Sequence, residues 1–412
     1  MSTAHTAAPG RGTDPDTVVS VVVNGAAAPR DAPLAGPLTA EGFAAARAEI
    51  AAWPGYAPTP LVRLPALAAA LGLGEILYKD EAGRFGLGSF KPLGAAYAAA
   101  RAIARELERR GVAGSVSPAD VREGRHATAA REVTLLSATD GNHGRALAWG
   151  ARLFGARARI FAHERMSEGR RRAIRDLGAE LVICPGGYDD SVREAFASGA
   201  RGEGIVVQDT SVGDYRAIPA DISHGYGVIA GETVDALAEP PSHAIVQAGV
   251  GGVASAVAAR FWLEWGPRRP RFIVLEPVNA ACVAASLAAG LRTSVGGDTH
   301  TAMAGLACGE VSEIAWEVLA AAADAAIVVG DGWAFRGMRR LADPVAGDPA
   351  IVAGECAGGA IGALMALADR PELRAALGLD GASRVFVLGT EGATDPAIYE
   401  SVTGRRAEEV AA

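Results

Sequence analysis

The chain has 412 residues, half of them hydrophobic and 21% charged, with a formal charge of −8. That length and balance suit about two or three domains with buried cores, on the usual scale of ~150 residues each. An acidic chain whose arginines are scattered disfavours a nucleic-acid or anionic-membrane partner, so small-molecule chemistry is expected. Cys184, Cys282, Cys308 and Cys356 lie far apart with no CxxC pair, which indicates neither a zinc site nor a disulfide scaffold, and no metal is expected.

Residues 1–37 hold five prolines and many small polar residues, a composition that reads as a flexible or peripherally attached leader, with ordered structure beginning near Leu38. The apolar run from Val18 to Val23 is short, ends at Asn24-Gly25 and lacks a basic start, so it is not read as a signal peptide. No run of ~20 uncharged apolar residues offers a membrane span. A cytoplasmic protein is expected.

From Leu38 onward, β-like runs alternate with alanine-rich helical ones. In chain order the runs are EILYKDE, VTLLSATDG, ARIFAHE, ELVICPGG, IVVQDT, HAIVQAGVGG, RFIVLEP, AAIVVGD and RVFVLGTEG. Such alternation predicts α/β architecture with largely parallel, buried strands. Residues 112–133 read as a polar excursion, and the arginine-rich stretch from Glu164 to Leu177 as a helix with a solvated face.

Ligands gather at the carboxyl ends of parallel strands. The segments there are Thr139-Asp140-Gly141-Asn142-His143-Gly144, Gln208-Asp209-Thr210, Gly249-Val250-Gly251-Gly252 and Thr390-Glu391-Gly392. The turn after HAIVQ precedes a helix and can offer backbone N–H groups to a phosphate, although strand–helix packing also demands glycine.

Of the 39 basic residues only two are lysines, Lys79 and Lys91. Arginine supplies charge equally well, but only lysine can lose its proton and attack a carbonyl. Lys79 lies in a strand beside Asp80 and Glu81, where a structural ion pair is the simpler reading. Lys91 follows a glycine-rich loop and precedes an alanine-rich helix, at whose N-terminus the dipole and partial burial would favour a neutral, nucleophilic amine. Pro92 suits the first helical turn.

The blocks GYAPTPL (55–61), KDE (79–81), RFGLGSFKPLGAAYA (84–98), ATDGNHGRALAW (138–149), GYDDSVREA (187–195), VVQDTSVGDYRAIP (206–219), QAGVGG (247–252), VLEPVNAAC (274–282), TAMAGLACGE (301–310) and TEGATDP (390–396) recur in order along most of the chain. In them the chain resembles the 2,3-diaminopropionate ammonia-lyases, among the fold type II pyridoxal-phosphate enzymes. The resemblance implies two domains, each a mostly parallel sheet flanked by helices, with the cofactor in the cleft between them. It implies a large domain of residues 38–98 and 216–412 and a small one of 99–215, and it suggests a homodimer acting on a small amino acid.

The same resemblance implies that Lys91 carries pyridoxal 5′-phosphate as a Schiff base. Gly249, Val250, Gly251, Gly252 and Val253 would wrap its phosphate, Asn142 would bond its ring hydroxyl, and Thr390 would meet its pyridine nitrogen. A hydroxyl at that nitrogen suits elimination over transamination. Asp140 stands where dehydratases carry Ser or Ala, and with Asp209 could recognise a β-ammonium and exchange protons at the α-carbon. Isolated aspartates usually cap loops and strand ends, which is the alternative for both. His143 is read as supporting, through a backbone or cofactor-side hydrogen bond. Cys282 and Cys308 stand where similar proteins carry cysteines near the site entrance, so a bridge and two thiols both remain open.

The chain departs from the family pattern at Gly88-Ser89, Pro92, Val212 and Cys356-Ala357, which bears on substrate fit more than on cofactor binding. The expected reaction is loss of ammonia from 2,3-diaminopropionate, giving pyruvate and two ammonia molecules. The alternatives are a serine or threonine dehydratase, a β-replacement synthase of the same fold, and a cofactor-binding protein without turnover.

Overall fold

The structure, a computed structural model, describes residues 15–139 and 141–411. The chain divides into two compact units. One comprises the residues up to Ala40, Pro58–Gly88 and everything from Ile229 onward; the other comprises Glu41–Ala57 and Ser89–Val228.

The strands in chain order are β1 (Val19–Val23), β2 (Leu61–Arg63), β3 (Glu75–Asp80), β4 (Thr134–Ala138), β5 (Arg157–His163), β6 (Glu180–Cys184), β7 (Ile205–Val206), β8 (His243–Gln247), β9 (Arg271–Pro277), β10 (Ala325–Val329) and β11 (Arg384–Gly389). Among the described residues the first unit holds a sheet ordered β1-β10-β9-β8-β11-β3-β2, and the second a sheet ordered β6-β5-β4-β7. All nine β-like runs of the sequence are parallel strands of these sheets. The two additional strands, β1 and β2, are antiparallel edges. β8 and β10 are buried along their whole lengths, as strands covered on both faces must be.

Of the two readings of the leader, flexible or peripherally attached, the described part matches the second, and its order begins before Leu38. Residues 1–14 lie outside the described residues, but β1 pairs with β10 over five residues and buries Val21. Side chains pin the segment beyond β1: Asn24 Nδ2 donates to the carbonyls of Ala320 and Ala323, and Trp262 Nε1 to that of Ala32. The valines of a short, proline-flanked segment are thus an edge strand, whose partner lies some 300 residues away in sequence.

The division of the chain also falls elsewhere than the family resemblance implies. A boundary after residue 98 would cut the helix Lys91–Arg109, which is buried continuously from Pro92 to Ala100 and lies wholly in the second unit. The Ala217–Ala236 helix packs its Gly225 and Tyr226 against Leu93 and Gly94 of that helix; a Cβ on Gly225 would sit 2.1 Å from the Leu93 carbonyl oxygen. Residues 41–57 join the same unit through Trp53, edge-on to Trp149 and Phe154, and through Glu49, paired with Arg122 at 2.7 Å.

Lys79 on β3 is a structural cation, but its partner differs from the one expected. Its Nζ donates to Glu232 Oε2 at 2.5 Å and to the Thr59 carbonyl at 2.7 Å, while Glu81 is 3.9 Å away. Arg84 donates to both Glu81 and Glu232 at 2.8 Å, closing a buried group of two cations and two anions. Burial alone would raise the Glu232 carboxyl; Arg84 and Lys79 overrule it and hold it below the ordinary range. Removing one member of such a group leaves an uncompensated buried charge. Glu232→Gln is expected to cost about 3–5 kcal/mol of unfolding free energy in urea titrations, and a loss under about 1 kcal/mol would contradict this account.

Candidate active site

Lys91 enters its helix through a loop turned by glycine. Gly86 and Gly88 take left-handed φ values of 69° and 76°, and Phe85, also left-handed at 51°, is the sole non-glycine residue of that kind among those described. Phe90 stands at the N-cap position without a side-chain capping bond, Lys91 is the first helical residue, and Pro92 falls in the first turn as expected.

Lys91 Nζ donates to Asp209 Oδ2 at 2.8 Å, with side chains 18% and 13% exposed. The sequence favoured a neutral amine; this contact is instead that of an ion pair, because a carboxylate close by favours the charged form. The amine also lies over the rings of Phe90 and Tyr226, 5.4 and 5.8 Å from their centroids, and those rings meet edge-on at 4.8 Å. Tyr226 went unnoticed in the sequence because nothing local marks it: it is one aromatic in a small-residue helix, brought to Lys91 by the close approach at Gly94 and Gly225.

Asp209 follows β7 and is held by its neighbours. The Val207 amide donates to the Leu136 carbonyl, and the Gln208 amide to the Tyr215 hydroxyl. Gln208 Oε1 accepts from Ser137 Oγ at 2.8 Å, tying this strand end to β4. Burial pushes the Asp209 carboxyl up, but the Lys91 ammonium outweighs it and brings the group down to about 2. His143 would add to this only if charged, and burial holds its imidazole below the ordinary histidine range. Lys91 is therefore the partner that counts.

Within the loop after β4, Thr139 Oγ1 accepts from the amides of Gly141 and Gly144 at 2.9 and 3.1 Å. Asp140 lies outside the described residues. Asn142 opens the helix Asn142–Leu153, and His143 behind it donates from Nε2 to the Val207 carbonyl at 2.9 Å. This unit thus gathers Lys91, Asp209, His143 and Tyr226 around one amine.

In the other unit, β8 leads through Gly249-Val250-Gly251 into the helix Gly252–Trp265. Two glycines are obligatory there. A Cβ on Gly249 would lie 2.8 Å from the Gly305 carbonyl oxygen, and Gly251 has a left-handed φ of 90° with Ala315 and Leu319 close by. The amides of the first helical turn have no intrahelical acceptor, which fits an anion such as a phosphate. Beside this turn Cys282 Sγ lies 3.6 Å from the Gly249 carbonyl oxygen, and Cys282 and Cys308 are thiols rather than a bridge. Cys356 is also a buried thiol, and its carbonyl accepts from Gln247 Nε2.

Thr390, following β11, supplies the clearest test of whether these residues suit a pyridine cofactor. The residue is 3% exposed, and its Oγ1 has no hydrogen-bond partner among the described residues. A buried hydroxyl is costly to leave unpaired, so a ligand atom there restores what the fold withholds. Taken by their chemistry, the groups of each unit suit a part of pyridoxal phosphate: a lysine held by a carboxylate in one, and a glycine turn at a helix N-terminus and an unpaired buried hydroxyl in the other.

Comparisons with known proteins agree. The family model described as pyridoxal-phosphate dependent enzyme matches residues 52–390. The diaminopropionate ammonia-lyase of Escherichia coli is 37% identical over 354 residues, covering 84% of this chain and 87% of the relative. A crystal structure of the Escherichia coli diaminopropionate ammonia-lyase with an aminoacrylate-PLP azomethine reaction intermediate superposes with a TM-score of 0.84 at 34% identity, over 94% of this chain and 97% of that one. A tomato (Solanum lycopersicum) threonine deaminase shares the fold alone, with a TM-score of 0.69 at 18% identity over 95% of this chain and 98% of the other. Fold and sequence together place the chain among the fold type II pyridoxal-phosphate-dependent enzymes, as a member of the diaminopropionate ammonia-lyase family.

Proposed function

We propose that the chain eliminates ammonia from 2,3-diaminopropionate, giving pyruvate and a second ammonia, and that Lys91, Asp140 and Asp209 carry the reaction. The observation that carries this reading is the pairing of Lys91 with Asp209 at 2.8 Å, an amine and an acid ready for a diamine substrate. In this reading Asn142, Gly249, Val250, Gly251, Gly252, Val253 and Thr390 hold the cofactor: the glycine turn its phosphate, Asn142 its ring hydroxyl and Thr390 its pyridine nitrogen. When bound, pyridoxal phosphate supplies an electron sink that acidifies the α-carbon of an attached amino acid.

With the cofactor bound, Lys91 would be its anchor and, once the substrate amine had taken that place, would be free to move a proton at the α-carbon. Asp209, freed from Lys91, and Asp140 hold the β-ammonium and take the α-proton. The β-amine departs as ammonia. Lys91 would then free the three-carbon product, which hydrolyses in water to pyruvate and the second ammonia. Phe90 and Tyr226 restrict the directions open to the Lys91 amine throughout.

The family resemblance further supports a homodimer in the cytoplasm. No helix among the described residues is long and apolar enough to cross a membrane.

Purified holoenzyme is expected to form pyruvate from 2,3-diaminopropionate at a kcat/KM at least about a hundredfold above that for serine or O-acetylserine, measured with a coupled pyruvate assay. Preference for serine would overturn the assignment. Before cofactor loading, the Asp209 carboxylate also makes stability depend on acid pH. Because the folded Asp209 carboxyl lies below its unfolded value, its stabilising contribution is present above the ordinary carboxylate range and is lost as pH falls toward about 2. Asp209→Asn is expected to lose about 2 kcal/mol at neutral pH in urea titrations, with the gap to wild type narrowing below about pH 4. A gap independent of pH would contradict the ion pair.

A further inference from the structure

His143 is 6% exposed, and its two ring nitrogens face different surroundings. Nε2 lies 2.9 Å from the Val207 carbonyl oxygen. A carbonyl can only accept, so Nε2 carries the hydrogen, and in a neutral imidazole Nδ1 is then bare. Nδ1 is buried and has no hydrogen-bond partner among the described residues. The atom it faces is Asp209 Oδ2, 3.9 Å away, the same oxygen that receives Lys91 Nζ. Val207 and Asp209 are two residues apart, so one strand end both fixes the tautomer and sets a carboxylate opposite the bare nitrogen.

In the resting ionisation state this arrangement gains nothing, because a nitrogen lone pair and a carboxylate oxygen are both acceptors. One added proton reverses that, since either atom can then donate to the other. A histidine kept for structure alone would need only its Nε2. The charged groups facing the ring are Asp209 and, beyond it, Lys91, and burial keeps the imidazole uncharged between them.

Building on the reading of Asp209 as an acid–base group, we propose that His143 is its positioning residue and proton reservoir, accepting at Nδ1 the proton that Asp209 Oδ2 collects from the substrate. The transfer breaks the Oδ2–H bond and forms an Nδ1–H bond, leaving a carboxylate and an imidazolium with no change in net charge. Asp209 is thereby returned to the anionic form that holds an ammonium. The reverse transfer gives the proton back through Oδ2 to the ammonia released once the β C–N bond has broken, which leaves as ammonium. Once Lys91 is engaged with the cofactor, the carboxylate is released to turn toward Nδ1 and close the gap.

The test combines kinetics with nitrogen-15 NMR of histidine-labelled holoenzyme. His143→Gln places an amide near Val207 but no titratable base near Asp209. It is expected to retain bound cofactor and a KM within about twofold of wild type while kcat falls by roughly tenfold or more. In the spectrum, the His143 resonances, assigned by their loss in that variant, are expected to show a protonated Nε2 and a bare Nδ1. Asp209→Asn, whose amide can donate to Nδ1, is expected to shift the Nδ1 resonance. A His143→Gln kcat within about twofold of wild type, a resting Nδ1 that carries hydrogen, or an Nδ1 resonance indifferent to Asp209→Asn would each overturn the proposal. If wild type forms no pyruvate from the diamine, the functional reading fails, while the two NMR outcomes still decide the His143–Asp209 relation.

Discussion

The contact between Lys91 Nζ and Asp209 Oδ2, 2.8 Å long and largely shielded from water, is the interaction around which the Lys91 unit is organised. An ammonium cannot be buried cheaply without an anion, and a carboxylate cannot be buried cheaply without a cation. Each satisfies the other in the chain as it stands. In the proposed reaction a cofactor aldehyde would claim the lysine, and the carboxylate left behind would be an anion in need of a positive charge, which a diamine would bring. The electrostatic need that stabilises the chain before loading would then serve to recognise the substrate.

The two lysines show how environment assigns a role to one side-chain type. Lys79 is 1% exposed, caught between Glu232, the Thr59 carbonyl and the Arg84 network, so its amine is fully committed to the fold. Lys91 meets the Asp209 carboxylate and two aromatic faces, and sits at the start of a helix reached through a glycine-turned loop. Rigidity in the first case and availability in the second follow from the groups that each nitrogen meets.

Much of this was legible in the sequence, for identifiable reasons. The nine parallel strands are continuous apolar runs, which burial on both faces demands; the strands it missed, β1 and the three-residue β2, are edges without that signature. Lys91 stood out because lysine is so rare here, and Asp209 because it follows a strand. Glu232 did not, since its role depends on a fold that brings it to Lys79 across 153 residues. Tyr226 and the Val207 carbonyl were silent for the same reason: one is an unremarkable aromatic in a helix, the other a backbone atom. Local pattern shows which residues can do chemistry, whereas their partners are fixed by tertiary contact.

The most direct test of the central claim is chemical. Holoenzyme reduced with borohydride and digested is expected to yield one pyridoxyl-labelled peptide, spanning Lys91, with Lys79 unmodified. Label on Lys79, or none on the Lys91 peptide, would contradict the account.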